Sequence, residues 1–284
     1  MIGPVALLLG IALAGGGFDV TTRHIAGLAA WLVVVALLVL GAASRVTLAP
    51  PLLWSVASLL GLALLSGLSS SWSGSAELSV IEADRALVYL GVFLAAFLIA
   101  QTDRRRQRFA EGLAIGLAAI AVLGLASRLL PDIVQVANGL GSGPRLRYPL
   151  GYWNANGVAF AIGAMLLLWL SRRASWVGAR WLAVAFTPAV LLALYFTFSR
   201  GGLLALAVGA GCLLALSHDR LWLLATLGIG MLATLPALLA AQARQELTDN
   251  VATQATVDQG ATVFLILLAG TALALLLFAG LRRL

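Results

Sequence analysis

Residues 145–173 read RLRYPLGYWNANGVAFAIGAMLLLWLSRR. A polar, aromatic opening with two arginines gives way to an apolar run, and the run stops at a second arginine pair. An apolar stretch approaching the roughly 20 residues needed to cross a bilayer reads as a membrane-spanning helix. The same alternation repeats from one end of the chain to the other. Hydrophobic residues make up 62% of the sequence, charged residues only 10%, and the mean hydropathy is +1.03. So few charges cannot dress a water-soluble surface. The expected fold is all-α, a polytopic helical membrane protein of about ten transmembrane helices, with no soluble domain and residues 1–284 forming a single membrane domain.

Ten spans are expected at 2–18, 25–44, 52–70, 87–102, 109–130, 155–171, 181–198, 203–217, 221–241 and 262–281. The first is apolar like the middle of a signal peptide, yet it lacks a positive leading segment, so it reads as an uncleaved helix. Residues 76–86, AELSVIEADRA, read as a short interfacial helix on which Glu82 and Arg85 are spaced to pair.

The chain carries 18 basic residues, all arginine, and a net charge of +7. They flank the apolar runs, which marks orientation in a membrane and not nucleic-acid binding. On alternate loops, one side receives Arg45, Arg104, Arg105, Arg106, Arg108, Arg172, Arg173, Arg180, Arg220, Arg282 and Arg283. The other holds Arg23, Arg85, Arg128, Arg145, Arg147, Arg200 and Arg244, so the division is eleven to seven. The positive-inside rule then puts both termini in the cytoplasm and the loops 131–154 and 242–261 outside. The expected location is the cytoplasmic (inner) membrane. The single Cys212 and the separated His24 and His218 give no disulfide framework and no metal-ligand cluster, so neither metal nor cofactor is expected.

Two arginine sites on the outward side share one logic. After Arg145 and Arg147, the sixth span is expected to begin at Asn154 or Asn156, either of which suits an N-cap. The seventh ends at Phe198; Ser199 is placed to cap the eighth, which Arg200, Gly201 and Gly202 open. Each site sets a helix N-terminus, with its unpaired N–H groups and positive dipole end, beside guanidinium groups. Arginine's planar fork suits phosphate oxygens, so the two sites together suit a diphosphate. Arg23, Arg128 and Arg244 read as ordinary interfacial arginines, and Arg145 and Arg147 cannot be ranked against each other.

The order of these motifs, RLRYPLGYWNANG, a span, a short basic loop, another span and TFSRGGLLAL, resembles the O-antigen ligase and polymerase-like family. The segment SSWSGSAEL at 70–78 is similar to a loop in such proteins, and the resemblance covers about residues 50–281. It implies a metal-independent membrane glycosyltransferase of polysaccharide biosynthesis in the cell envelope. The donor would be a glycan on undecaprenyl diphosphate, a polyprenyl-diphosphate-linked glycan, and the acceptor a lipid, a second glycan or a protein. Arg200 would correspond to the family's Ser-Arg-Gly arginine, and Arg145 or Arg147 to the arginine before the Asn-rich turn. Their role would be to hold the diphosphate and stabilise it as the leaving group. Asn154, Asn156, Ser199 and Gly201 would support them.

Family members continue into an outward loop bearing a histidine implicated in activating the acceptor. This sequence stops at AGLRRL and resembles their front two-thirds, so binding of the lipid diphosphate without glycan transfer is expected. Two rivals remain: a flippase-like or purely lipid-diphosphate-binding protein, and a transporter. The last is weaker, because coupled carriers keep ionisable residues deep within their spans and none is read there.

Overall fold

Within hydrocarbon every backbone N–H and C=O must pair inside the protein, and a helix does this within one segment. The computed structural model of the protein describes residues 2–41, 49–136 and 139–283, and among these it is all-helical. Among the described residues seven helices are long and apolar enough to cross a membrane: Val20–Val39, Pro50–Ser69, Asp103–Leu129, Trp153–Arg173, Val177–Phe196, Arg220–Gln242 and Gln254–Leu281. Arg200–Leu216 is a shorter apolar helix. Arg45, the end of the second expected span and the two terminal residues lie outside the described residues.

In chain order the helices are α1 (Ile2–Leu13), α2 (Val20–Val39), α3 (Pro50–Ser69), α4 (Ala76–Ile99), α5 (Asp103–Leu129) and α6 (Trp153–Arg173). They continue as α7 (Val177–Phe196), α8 (Arg200–Leu216), α9 (Arg220–Gln242), α10 (Gln245–Asp249) and α11 (Gln254–Leu281). Several expected boundaries move. Helices α2, α5 and α11 begin at Val20, Asp103 and Gln254, ahead of the expected 25, 109 and 262, so much of the expected loop 242–261 is helical. Two further differences have a plain cause. The first helix ends at Leu13 and not at residue 18, because Gly15, Gly16 and Gly17 all take positive φ. Residues 76–86 are not a separate helix: they form the first half of α4, which Ser75 caps by accepting from Leu78 N–H.

The contacts divide the chain into two compact units, one of Gly17–Arg106 and one of Met1–Gly16 with Gln107–Leu284. In the smaller unit, α4 packs against both α2 and α3. Small residues set the spacing there. A Cβ on Gly91 would lie 2.9 Å from the Trp31 indole nitrogen, and one on Gly27 would lie 2.6 Å from Val88. At one end Asp84 accepts from both Arg23 and His24, at 3.4 and 3.1 Å. Arg23 is buried in this pairing, so it is not the ordinary interfacial arginine expected. Arg85 does bind Glu82 at 2.7 Å, as the spacing predicts.

The larger unit has its core on α5, α6 and α7, where Ile120, Phe160, Leu167, Leu170, Leu192 and Phe196 are fully buried. Gly116 admits Leu8 of α1, and Gly163 of α6 sits on Leu117 of α5. Beyond α7, Phe278 of α11 is wedged edge-on between Trp181 and Trp222, with ring centroids 5.2 and 5.8 Å away. The backbones of α9 and α11 approach closely: a Cβ on Gly270 would fall 2.1 Å from the Ala233 carbonyl oxygen.

That approach is testable. Gly270→Ala should force the two backbones apart and cost about 1–3 kcal/mol, the range for overpacking. Gly280→Ala, with nothing within 4 Å of its Cβ position, should be silent. Thermal unfolding in detergent compares the two, and equal midpoints would contradict this packing.

Candidate functional site

The chain between α5 and α6 owes its path to polar anchors. Arg128 is 3% exposed, at the end of α5. Its guanidinium donates to the carbonyls of Pro144 at 2.8 Å, Leu247 at 3.3 Å and Gly143 at 3.4 Å. Asn250, in the left-handed conformation after α10, donates its side-chain amide to Gly139 O at 2.8 Å and accepts from Gly141 N–H at 3.0 Å through its carbonyl. Leu146 N–H then donates to Phe196 O at the end of α7, at 2.8 Å. Arg128 is therefore a buried clamp on the loop and not a plain interfacial residue. Nothing in the local sequence separates it from its neighbours, since its partners come from 15 to 119 positions away.

The start of α6 also differs from expectation. Tyr152 occupies the N-cap without a side-chain hydrogen bond, and neither Asn154 nor Asn156 caps the helix. Asn156 is completely buried and spends its amide on the loop, donating to Leu146 O and Tyr148 O, each at 3.1 Å. Asn154 donates to the Tyr152 hydroxyl at 2.6 Å and accepts from Ser199 Oγ at 2.9 Å. The asparagines are tied to their surroundings because their side chains have tertiary partners that outbid a cap.

Ser199 does cap α8, its Oγ accepting from Gly202 N–H at 3.0 Å. Since the same hydroxyl donates to Asn154, the N-termini of α6 and α8 are hydrogen-bonded to each other. Their backbones also touch. A Cβ on Gly202 would lie 2.8 Å from the Gly157 carbonyl carbon, and one on Gly157 would lie 2.7 Å from Ser199 Cβ. Glycine at both positions is what permits the contact. Gly209 meets Met165 further along, so the two helices run parallel.

Arg145 and Arg147 alternate with buried Leu146, and both are exposed. Their guanidinium carbons lie 4.7 and 5.3 Å from the Trp153 ring centroid, at the first residue of α6. Arg200 is the exposed first residue of α8, and Gly201 follows it. Among the described residues no carboxylate pairs with Arg145, Arg147 or Arg200; the ion pairs use Arg23, Arg85, Arg106, Arg172 and Arg173. Three cations thus border two adjoining positive helix ends, with no internal anion to neutralise them. The cavity that Arg145 and Arg147 line is about 10 Å³, room for one water. An anion would therefore meet these guanidinium groups at the surface and not in a buried pocket. The large cavity, of about 640 Å³, opens at the opposite ends of α6 and α8.

No group of three or more His, Cys, Asp or Glu side chains placed to hold a metal occurs among the described residues. His24 is bound to Asp84 in the smaller unit, and His218 follows the end of α8 far from Arg200. Comparison with family models, curated proteins and solved structures returned no match.

The two asparagines should separate on mutation. Asn156→Ala strands one buried and one partly buried carbonyl and should cost about 1–3 kcal/mol. Asn154→Ala, at a half-buried position, should cost about 1 kcal/mol or less. Unfolding midpoints in detergent would decide, and a larger loss at Asn154 would contradict the anchoring role of Asn156.

Proposed function

We propose that this protein binds a polyprenyl-diphosphate-linked glycan at the outer face of the cytoplasmic membrane, with a diphosphate site like that of the O-antigen ligase-like, metal-independent glycosyltransferases of cell-surface polysaccharide assembly. The observation that carries the reading is the joined N-termini of α6 and α8, bordered by Arg145, Arg147 and Arg200 with no carboxylate among them. A diphosphate has two adjacent anionic groups, and this junction offers two helix ends and three guanidinium forks. Bidentate donation from arginine would hold the oxygens in a fixed orientation. As the sugar–phosphate bond breaks, charge grows on the leaving diphosphate, and the same donors stabilise it. Completing a transfer would also need a base for the acceptor hydroxyl's proton, and none of Arg145, Arg147, Arg200, Asn154, Asn156 and Ser199 is one. The behaviour proposed for this chain is therefore binding of the lipid diphosphate without transfer.

In this reading ten helices cross the membrane, the seven long apolar ones together with α1, α4 and α8. Both termini are cytoplasmic, and the arginine junction faces outward.

The diphosphate role predicts a binding pattern. Purified protein should bind undecaprenyl diphosphate more tightly than the monophosphate. Arg200→Lys should weaken that binding by about tenfold, or roughly 1.4 kcal/mol, since a point charge cannot reproduce the fork. Equal affinity for the two lipids, together with full affinity in Arg200→Lys, would overturn the role.

Orientation has its own test. With Cys212 replaced, single cysteines at Ser142 and Arg105 should be labelled by an impermeant reagent from opposite sides of the membrane. Labelling of both from one side would overturn the outward placement.

A further inference from the structure

The 640 Å³ cavity lies away from the arginine junction, between the C-terminal halves of α6 and α8. Its volume falls within the roughly 300–1,000 Å³ of small-ligand sites. One wall is a stripe of α6, Met165 and Trp169, ending at Arg172 and Arg173. The facing wall is a stripe of α8, Gly209, Cys212, Leu213 and Leu216, about 10 Å long at 1.5 Å per residue. The α6 and α8 walls are apolar, and the polar lining groups, Gln107, Ser217, His218 and Asp219, gather with the two arginines at one end, the mouth of the groove, where Gln107 donates to Arg173 O.

Charge at the mouth does not cancel. Asp219 accepts from Arg173 Nη2 at 2.7 Å and faces Arg172 Nε at 3.5 Å, so one carboxylate serves two cations. Both arginine side chains stay about half exposed, at 45% and 57%. Each guanidinium has five N–H donors, most of them unused here. The α8 side chains beside the groove are bare and apolar, Leu216 84% and Val208 56% exposed. In a membrane helix such residues meet acyl chains, so the groove is open sideways to lipid.

We propose that this groove binds a phospholipid with an anionic headgroup, its acyl chain along the α6 and α8 stripes and its phosphate at Arg172 and Arg173. A free phosphate would leave the apolar walls uncovered. A neutral or zwitterionic headgroup would leave the surplus cation unmatched.

Cys212, the sole cysteine of the chain, lines the groove and is exposed, so it reports occupancy directly. The full chain in neutral detergent is labelled with N-ethylmaleimide while phosphatidylglycerol or phosphatidylcholine of the same acyl chains is added. Phosphatidylglycerol at about ten times its Kd should slow labelling about tenfold, because roughly a tenth of the sites then stay open. Phosphatidylcholine at the same concentration should leave the rate nearly unchanged. Arg172→Gln with Arg173→Gln should remove the protection, whereas Arg104→Gln with Arg105→Gln should retain it. Equal protection by the two lipids, or none by either, overturns the proposal with the unaltered protein alone. Loss of protection in the Arg104/Arg105 pair would assign the effect to general surface charge, and protection by inorganic phosphate alone would assign it to a water-soluble anion; both overturn the proposal.

Discussion

Two helix backbones touch only where neither carries a side chain, and Gly157 and Gly202 provide such a place at the heads of α6 and α8. The arginine junction depends on that contact. Once the heads meet, Ser199 can cap its own helix and donate to Asn154 with one hydroxyl. Arg200 is then brought to the same helix junction as Arg145 and Arg147. A methyl group at either glycine would push the heads apart and dissolve the shared positive end.

The arginines divide according to what the fold leaves them to do. Arg128 is consumed by carbonyls of the loop and of α10, Arg23 by Asp84, and Arg172 and Arg173 partly by a single shared Asp219. Arg145 and Arg147 lie on an indole face, as Arg172 does on Trp222, and such a face holds a cation in place without neutralising it. A charge held but not neutralised is one available to an anion. The same distinction marks the mouth of the α6–α8 groove, where two cations share one carboxylate. One pair of parallel helices thus has cationic chemistry at both ends, joined tightly at the first and parted by a groove at the second.

Buried polar groups in an apolar chain need partners, and here those partners also shape the site. Asn156 holds Leu146 and Tyr148, Phe196 accepts from Leu146, and Arg128 holds Pro144. Between these fixed points Arg145 and Arg147 have little choice but to project outward, because the residue between them is pinned and buried. The loop's position therefore rests on residues from α5, α6, α7 and α10, and only the exposed arginines are free to meet a ligand.

The sequence alone determined that the chain is helical and apolar enough to span a membrane, because hydropathy and run length are local properties. It also marked Arg145, Arg147 and Arg200 as cations beside helix starts, Ser199 as a cap and Glu82–Arg85 as a pair, all matters of short spacing. It misjudged whatever depended on distant partners. Asn154 and Asn156 have the chemistry of caps but are drawn to Ser199 and the loop carbonyls, and Arg128 and Arg23 look like their neighbours until the fold buries them. Residues 76–86 lack the hydropathy of a span, yet they continue into α4 because nothing interrupts the helix. Tertiary structure alone decided that the heads of α6 and α8 join and that a groove parts their far ends. Contact between segments 45 residues apart is set by which glycines face each other, and no local pattern records that.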